Sequence, residues 1–252
     1  MTAASSPLSA PARAGPDELR GSSVILTGVG RRGQVGEVVA SAFATRGATV
    51  ILVDRDQNAV QERAGELEQQ GVIAHSFGCD LTDPMAVGEL SEEVAKLAPS
   101  GIAAVVHMAG GYVDGRPVSE TEPAGWHKLF AINLTTAFVS TRAFLPLVRR
   151  ARGSMVYFAS AASLPGAAVK NMAAYAAAKG GVITLMRAVA AEERVNGVRS
   201  NALAPQAIRT GENLNSMGKE HEYVERETVA AWVLWLCSRA AGPVTGQVIR
   251  LG

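Results

Sequence analysis

The stretch Ser22-Ser23-Val24-Ile25-Leu26-Thr27-Gly28-Val29-Gly30-Arg31-Arg32-Gly33-Gln34-Val35-Gly36 decides the fold. Three apolar residues, Val24-Ile25-Leu26, run into Thr27-Gly28, and Val38, Val39, Ala42 and Phe43 then recur at helical spacing. An apolar strand closed by a glycine turn and followed by a helix is the opening of a parallel sheet covered on both faces. The same alternation repeats along the chain. Further strands are expected at 49–53, 72–77, 102–106, 155–158, 198–203 and 247–250. Helices are expected near 57–69, 84–97, 123–150, 173–193 and 228–238, with Pro146 close to the end of the long third one. Right-handed crossovers make this α/β chain a single-domain, doubly wound, Rossmann-type sheet with helices on both faces.

Composition agrees with that reading and removes several others. The chain has 252 residues, 48% of them hydrophobic and 19% charged, enough for a packed core. Lys plus Arg number 24 against 23 Asp plus Glu, so the formal charge of +1 supplies no field toward nucleic acid or an acidic membrane. Two cysteines, Cys79 and Cys237, make neither a disulfide framework nor a four-ligand zinc site, and read as buried thiols. Residues 1–20, rich in Ser, Ala and Pro, read as a flexible N-terminal arm without a signal peptide's apolar block, before a domain at 21–252. The Ala-rich stretch 173–191 carries Lys179 and Arg187 and is interrupted by Gly180-Gly181, so it does not read as a membrane span. A cytoplasmic protein is expected.

In doubly wound sheets, ligands bind outside the carboxyl ends of the strands. After the first strand, Gly28, Gly30 and Gly33 let the backbone approach a pyrophosphate, with Arg31, Arg32 and Val35 beside it at the helix start. Asp54 closes the second strand, where a carboxylate accepts hydrogen bonds from an adenosine ribose and repels a 2′-phosphate. NAD(H) is therefore favoured. Arg31, Arg32 and Arg55 keep NADP(H) possible. Farther along, Tyr175 and Lys179 lie four residues apart on one helix face, where an ammonium lowers a phenol's pKa toward the range of a general acid/base. Ser160 stands at the end of the preceding strand, with Ser163 as an alternative.

These pieces, with Asp80-Leu81, Ala109-Gly110, Asn133, Ala204-Pro205, Thr210 and Val244-Thr245-Gly246-Gln247, make the chain from Ser22 to Gly252 resemble the short-chain dehydrogenase/reductase family. The resemblance implies that Tyr175 exchanges a proton with the substrate oxygen, Lys179 binds the nicotinamide ribose and tunes Tyr175, and Ser160 hydrogen-bonds the substrate. It implies that Asn133 holds a relay water, Asp80 and Leu81 frame the adenine, and Ile208 and Thr210, after Pro205, meet the nicotinamide carboxamide. Ala109 and Gly110 are carried over as cofactor-binding. Three departures stand out. The glycine loop is two residues longer than in the family's main branch and closer to enoyl-reductase spacing. Met108 replaces an asparagine that would hydrogen-bond under the cofactor, and Gln206 replaces a glycine.

The function implied is hydride transfer between nicotinamide and a small carbonyl or secondary-alcohol substrate. A dihydropteridine-reductase-like or enoyl-reductase-like member, or a non-catalytic NAD(H)-binding regulator, remain the alternatives. Residues 210–226 form a short polar lid over an open pocket. His107, His221, Trp126, Trp232 and Trp235 read as core or surface residues. The helix at 173–193 is apolar nearly all round, which calls for a second copy against it, and the resemblance implies a tetramer.

Overall fold

The computed structural model of the chain describes residues 19–113 and 115–252. Its strands are β1 (Ser23–Thr27), β2 (Thr49–Asp54), β3 (Ala74–Gly78), β4 (Ala104–His107), β5 (Ser154–Phe158), β6 (Arg199–Pro205) and β7 (Val248–Leu251). All pair parallel in one sheet, in the order β3-β2-β1-β4-β5-β6-β7. The helices are α1 (Val35–Ala44), α2 (Gln57–Glu68), α3 (Pro84–Leu97), α4 (Pro123–Phe130), α5 (Thr136–Ala151), α6 (Ala173–Glu192), α7 (Gly211–Met217) and α8 (Arg226–Cys237). This is the doubly wound, Rossmann-type sheet that the strand–helix alternation implies.

Period-two alternation decides which core each side chain enters. Val24 and Leu26 of β1 join residues of α1, α2 and α8, whereas Ile25 joins residues of α3, α5 and α6 on the opposite face. All three are fully buried, and each such aliphatic side chain stabilises the fold by about 1.5–3 kcal/mol relative to exposure. Parallel register then brings the strand ends level. Thr27 of β1 stands beside Val53 of β2 and His107 of β4, and Phe158 of β5 beside Leu203 of β6. The chain order reverses between β1 and β4, which opens a crevice at these carboxyl ends.

Three expectations change. The helix expected over 123–150 carries a wide π turn at Ala131–Thr135, between α4 and α5. There the Asn133 side chain bonds the Leu129 carbonyl and the loop after β4, an insertion of the kind that widens a helix. The 210–226 span contains α7, whose N-terminus is capped by the Thr210 hydroxyl accepting from Asn213 N–H, a signal hidden by the span's polarity. Of the expected arm, residues 1–18 lie outside the described residues, but Leu19 is already buried in the core. By length and composition the helical run 123–151 is apolar enough to cross a bilayer, with a mean hydropathy of 1.3 over its most apolar window. Half of that window is buried inside the fold, as for a core helix.

The amino ends of the strands are held by a different device. Glu193, buried just after α6, receives Arg149 Nε at 2.7 Å, the second guanidinium nitrogen at 2.5 Å and Asn196 Nδ2 at 2.8 Å. The Arg149 bond holds the Glu193 carboxyl below its ordinary value. A depressed carboxylate stabilises the fold above its unfolded pKa, and that contribution is lost as pH falls through the folded value. Arg149→Met should therefore cost about 2 kcal/mol in urea denaturation at pH 7. The gap from wild type should close as the pH drops below the ordinary carboxylate range; a gap independent of pH contradicts the assignment.

Candidate active site

At the nucleotide end, Gly28 adopts φ +75°, and a Cβ there would lie 2.6 Å from the Ala109 nitrogen. The turn after β1 thus touches the chain leaving β4, a close approach open only to glycine. Thr27 secures it: its hydroxyl oxygen accepts from Met108 N–H (3.2 Å) and Ala109 N–H (3.3 Å). Thr27 thereby ties the two strand ends across the place where Met108 lacks an amide, and the Met108 side chain packs against the core.

Gly30 N–H donates to Asp54 Oδ2 at 2.8 Å, placing the carboxylate that closes β2 directly against the glycine turn. Gly33 N–H donates to Glu37 on α1 at 2.7 Å. Arg63, buried on α2, stands between Glu37 and Glu66. The two arginines of the loop face carboxylates of this chain: Arg32 pairs with Glu66 at 2.7 Å and Glu62 at 3.7 Å, and Arg31 with Glu212 of α7 at 3.2 Å. Gln34 Nε2 meets the same Glu212 oxygen at 3.3 Å. The loop's extra length thus reaches the lid. Gln34 gives α1 no side-chain cap, so the first amides of the helix, starting at Val35, are open to an anion.

Asp80 accepts both the N–H and the hydroxyl of Thr82, and these bonds hold its carboxyl below the ordinary value. The Leu81 side chain is buried in the core. Beyond Pro205, Ile208 bridges to Val224 and its carbonyl accepts from Asn213 Nδ2 at 2.8 Å. Thr210 is buried as the cap of α7.

At the other end of the crevice, Ser160 is buried at the exit of β5; its hydroxyl accepts from Ala162 N–H at 3.3 Å and lies near enough to the Tyr175 phenol to oppose an upward shift there. Ser163 instead donates to the Ser160 carbonyl at 2.6 Å, so the geometry brings Ser160 to Tyr175. One turn after Tyr175 on α6, Lys179 is buried; its Nζ donates to the Phe158 carbonyl at 2.7 Å and lies 5.9 Å from the Tyr175 ring centre. A Cβ on Gly110 would lie 2.6 Å from Asn133 Oδ1 and 3.3 Å from Lys179 Nζ, so the bare backbone there keeps open the space between them.

Asn133 Nδ2 donates to the carbonyls of Gly111 (2.9 Å) and Leu129 (3.0 Å), and Oδ1 accepts from Gly111 N–H (3.1 Å). Both amide protons are committed, so the side chain is a clamp on Gly111. The phenol stands above its ordinary value, not below it as the Lys179 spacing predicts: burial pushes Tyr175 up, with the Ser160 hydroxyl opposing it, and burial brings Lys179 down to about 8.

Away from the crevice, His107 is a core residue: it stacks on Tyr157 at 4.5 Å, its Nδ1 lies 3.0 Å from the Ser140 hydroxyl, and burial pushes it down to about 3. Cys79 and Cys237 are buried free thiols, and no metal-holding cluster occurs among the described residues. Glu37, Arg63, Glu66 and Glu212 are the contributors that sequence reasoning missed. Helical charges are ordinarily solvated, and only the tertiary fold turns these toward the glycine loop.

Together the bare Gly28 turn, the uncapped start of α1, Asp54 and the buried Lys179 fit a dinucleotide carrying a nicotinamide ring. Ser160 and Tyr175 can grip one substrate oxygen. The Lys179 titration is directly testable. Burial lowers its pKa from 10.5 to about 8, so between those values the unfolded chain binds more protons and folding gains stability as pH rises. Relative to Lys179→Met, the wild type should gain on the order of 3 kcal/mol between pH 8 and 10.5 in paired urea denaturation. A flat difference would place Lys179 outside the buried site.

A family model described as enoyl-(acyl carrier protein) reductase matches residues 28–251. Among relatives, 2-(S)-hydroxypropyl-CoM dehydrogenase 3 of Xanthobacter autotrophicus is 31% identical, covering 93% of this chain and 96% of its own. Galactitol 2-dehydrogenase (L-tagatose-forming) of Cereibacter sphaeroides is 32% identical, covering 92% and 94%. Among solved structures, a 3-oxoacyl-[acyl-carrier protein] reductase with bound NAD from Brucella melitensis superposes with a TM-score of 0.82 at 29% identity, over 93% of this chain and 90% of that one.

Proposed function

The chain belongs to the short-chain dehydrogenase/reductase family, and from that premise we propose that it is an NAD(H)-dependent oxidoreductase of a small carbonyl or secondary alcohol, with Tyr175 as general acid/base. The observation that carries this reading is the buried Lys179, anchored on Phe158 with its amine 5.9 Å from the Tyr175 ring centre, beside the buried Ser160 at the exit of β5. Bound nicotinamide would take or give the hydride. As charge develops on the substrate oxygen during reduction, the Ser160 hydroxyl stabilises it and the Tyr175 phenol delivers the proton; oxidation reverses the two roles. Lys179 holds the space beside Gly110 for the ribose, and its anchoring on Phe158 fixes the amine behind the phenol. The names of the relatives favour CH–OH chemistry over the enoyl-type and dihydropteridine-type alternatives.

Asp54 supports NAD(H) over NADP(H), because its carboxylate lies against Gly30 where a 2′-phosphate would bring like charge. The competing claim of Arg31 and Arg32 weakens, since both are paired with Glu212, Glu62 and Glu66. Fluorescence titration should show NADH binding more tightly than NADPH. Tyr175→Phe should lose at least about a hundredfold in kcat on any secondary alcohol that the wild type oxidises, while NADH affinity is kept. A Tyr175→Phe rate near wild type removes Tyr175 from the reaction, and tight NADH binding with no turnover across alcohols, ketones and enoyl substrates favours the regulator.

The reading extends to a homo-oligomer, a tetramer by family likeness, in a reducing cytoplasm. The outward side of α6 presents Ala177, Thr184 and Ala188, and Phe138 on α5 is half-exposed. Sedimentation equilibrium should give a multiple of the chain mass that falls in Phe138→Glu; a monomeric wild type overturns this part.

A further inference from the structure

Tyr112 stands where two segments meet at the mouth of the crevice. It follows Gly111, whose N–H and carbonyl are both held by Asn133, so its backbone is fixed at the exit of β4. Its ring meets the Tyr175 ring edge-on, with centres 5.3 Å apart and planes at 83°. The residue remains 50% exposed, so one side of the ring faces Tyr175 and the rest faces solvent.

Gly115 closes over the other end of the side chain. A Cβ on Gly115 would lie 2.4 Å from the Tyr112 hydroxyl and 2.0 Å from the Asn171 carbonyl oxygen. Only a glycine lets the chain after β4, the Tyr112 hydroxyl and the segment before α6 come this close. Asn171 itself holds the left-handed φ of +61°, a conformation asparagine tolerates better than most residues. The ring is thus set between a clamped backbone and a crowded hydroxyl. Val113 on the same segment and Val169 on the facing one are exposed and apolar.

Resting on the reading of Tyr175 as acid/base, we propose that Tyr112 is a specificity-determining residue. Its ring walls the space before the Tyr175 hydroxyl and limits the substituent beside the reacting carbon, so that the substrates are compact aliphatic secondary alcohols and their ketones. A planar ring with two torsions, held at both ends, excludes bulk by overlap and does not yield as a flexible chain would. The apolar neighbours favour an alkyl substituent over a charged one.

The test compares kcat/KM for 2-butanol and 1-phenylethanol in wild type, Tyr112→Phe, Tyr112→Leu and Tyr112→Ala, with NADH affinity measured alongside. The wild type should prefer 2-butanol. Tyr112→Ala should shift the ratio toward 1-phenylethanol by about tenfold or more, with Tyr112→Leu between them. Tyr112→Phe keeps the ring and should keep the wild-type ratio, and NADH affinity should hold in all. A ratio unmoved in both Tyr112→Ala and Tyr112→Leu overturns the wall, as does a shift in Tyr112→Phe equal to that in Tyr112→Ala. Wild-type protein that turns over neither alcohol nor either ketone, while active elsewhere in the alcohol and ketone panel, overturns the assignment of compact aliphatic substrates; inactivity across the whole panel overturns the oxidoreductase reading, and both differ from active protein with an unmoved ratio.

Discussion

Asn133 sits inside a helical run, and its side chain inserts into the helix ladder at the Leu129 carbonyl while also reaching both backbone groups of Gly111. A buried amide left without partners costs about 1–3 kcal/mol, so the three bonds hold as a set. The π turn at Ala131–Thr135 is the local consequence in the helix, and the fixed exit of β4 is the consequence in the sheet. Gly110 is thereby placed beside Lys179, and Tyr112 against Tyr175. Leu134, on the same turn, packs so closely on α6 that a Cβ at Gly181 would lie 2.6 Å from it. The helix that carries Tyr175 and Lys179 is therefore located by the same turn that also locates the strand end facing them.

The nucleotide side works by charge and not by burial of a clamp. Glu37, Arg63, Glu66 and Arg32 form a chain of alternating sign from α1 through α2 to the glycine loop. Alternation lets Arg63 be buried at modest cost, since carboxylates flank it. It also leaves neither loop arginine as an isolated positive charge.

Much of this was legible in the residue order. Continuous apolar runs such as Val24-Ile25-Leu26 and Met155-Val156-Tyr157-Phe158 can only be strands buried on both faces, and the glycine turn after the first sets the direction of the sheet. The Tyr175–Lys179 spacing placed both groups on one helix face. What escaped was tertiary. The lid helix α7 is polar throughout, so hydrophobic periodicity could not reveal it, although Thr210 is a sound N-cap. The side-chain clamp of Asn133 on Gly111 was not legible, because helix spacing says nothing about a widened turn. The phenol's upward shift was missed because one-dimensional spacing supplies the lysine's charge but not the dryness that weakens it.

The link from Arg31 and Gln34 to Glu212 joins the turn after β1 to the helix after β6, across the mouth of the crevice. Arg31 and Glu212 are both more than half exposed, so although their 3.2 Å separation is shorter than the Debye length of roughly 8–10 Å, added salt weakens their attraction in part. The Asn133 clamp is buried and uncharged, and screening does not reach it. Ionic strength therefore acts on one end of the crevice alone: it loosens the strap between the glycine loop and α7 and leaves the Tyr175–Lys179 side in register.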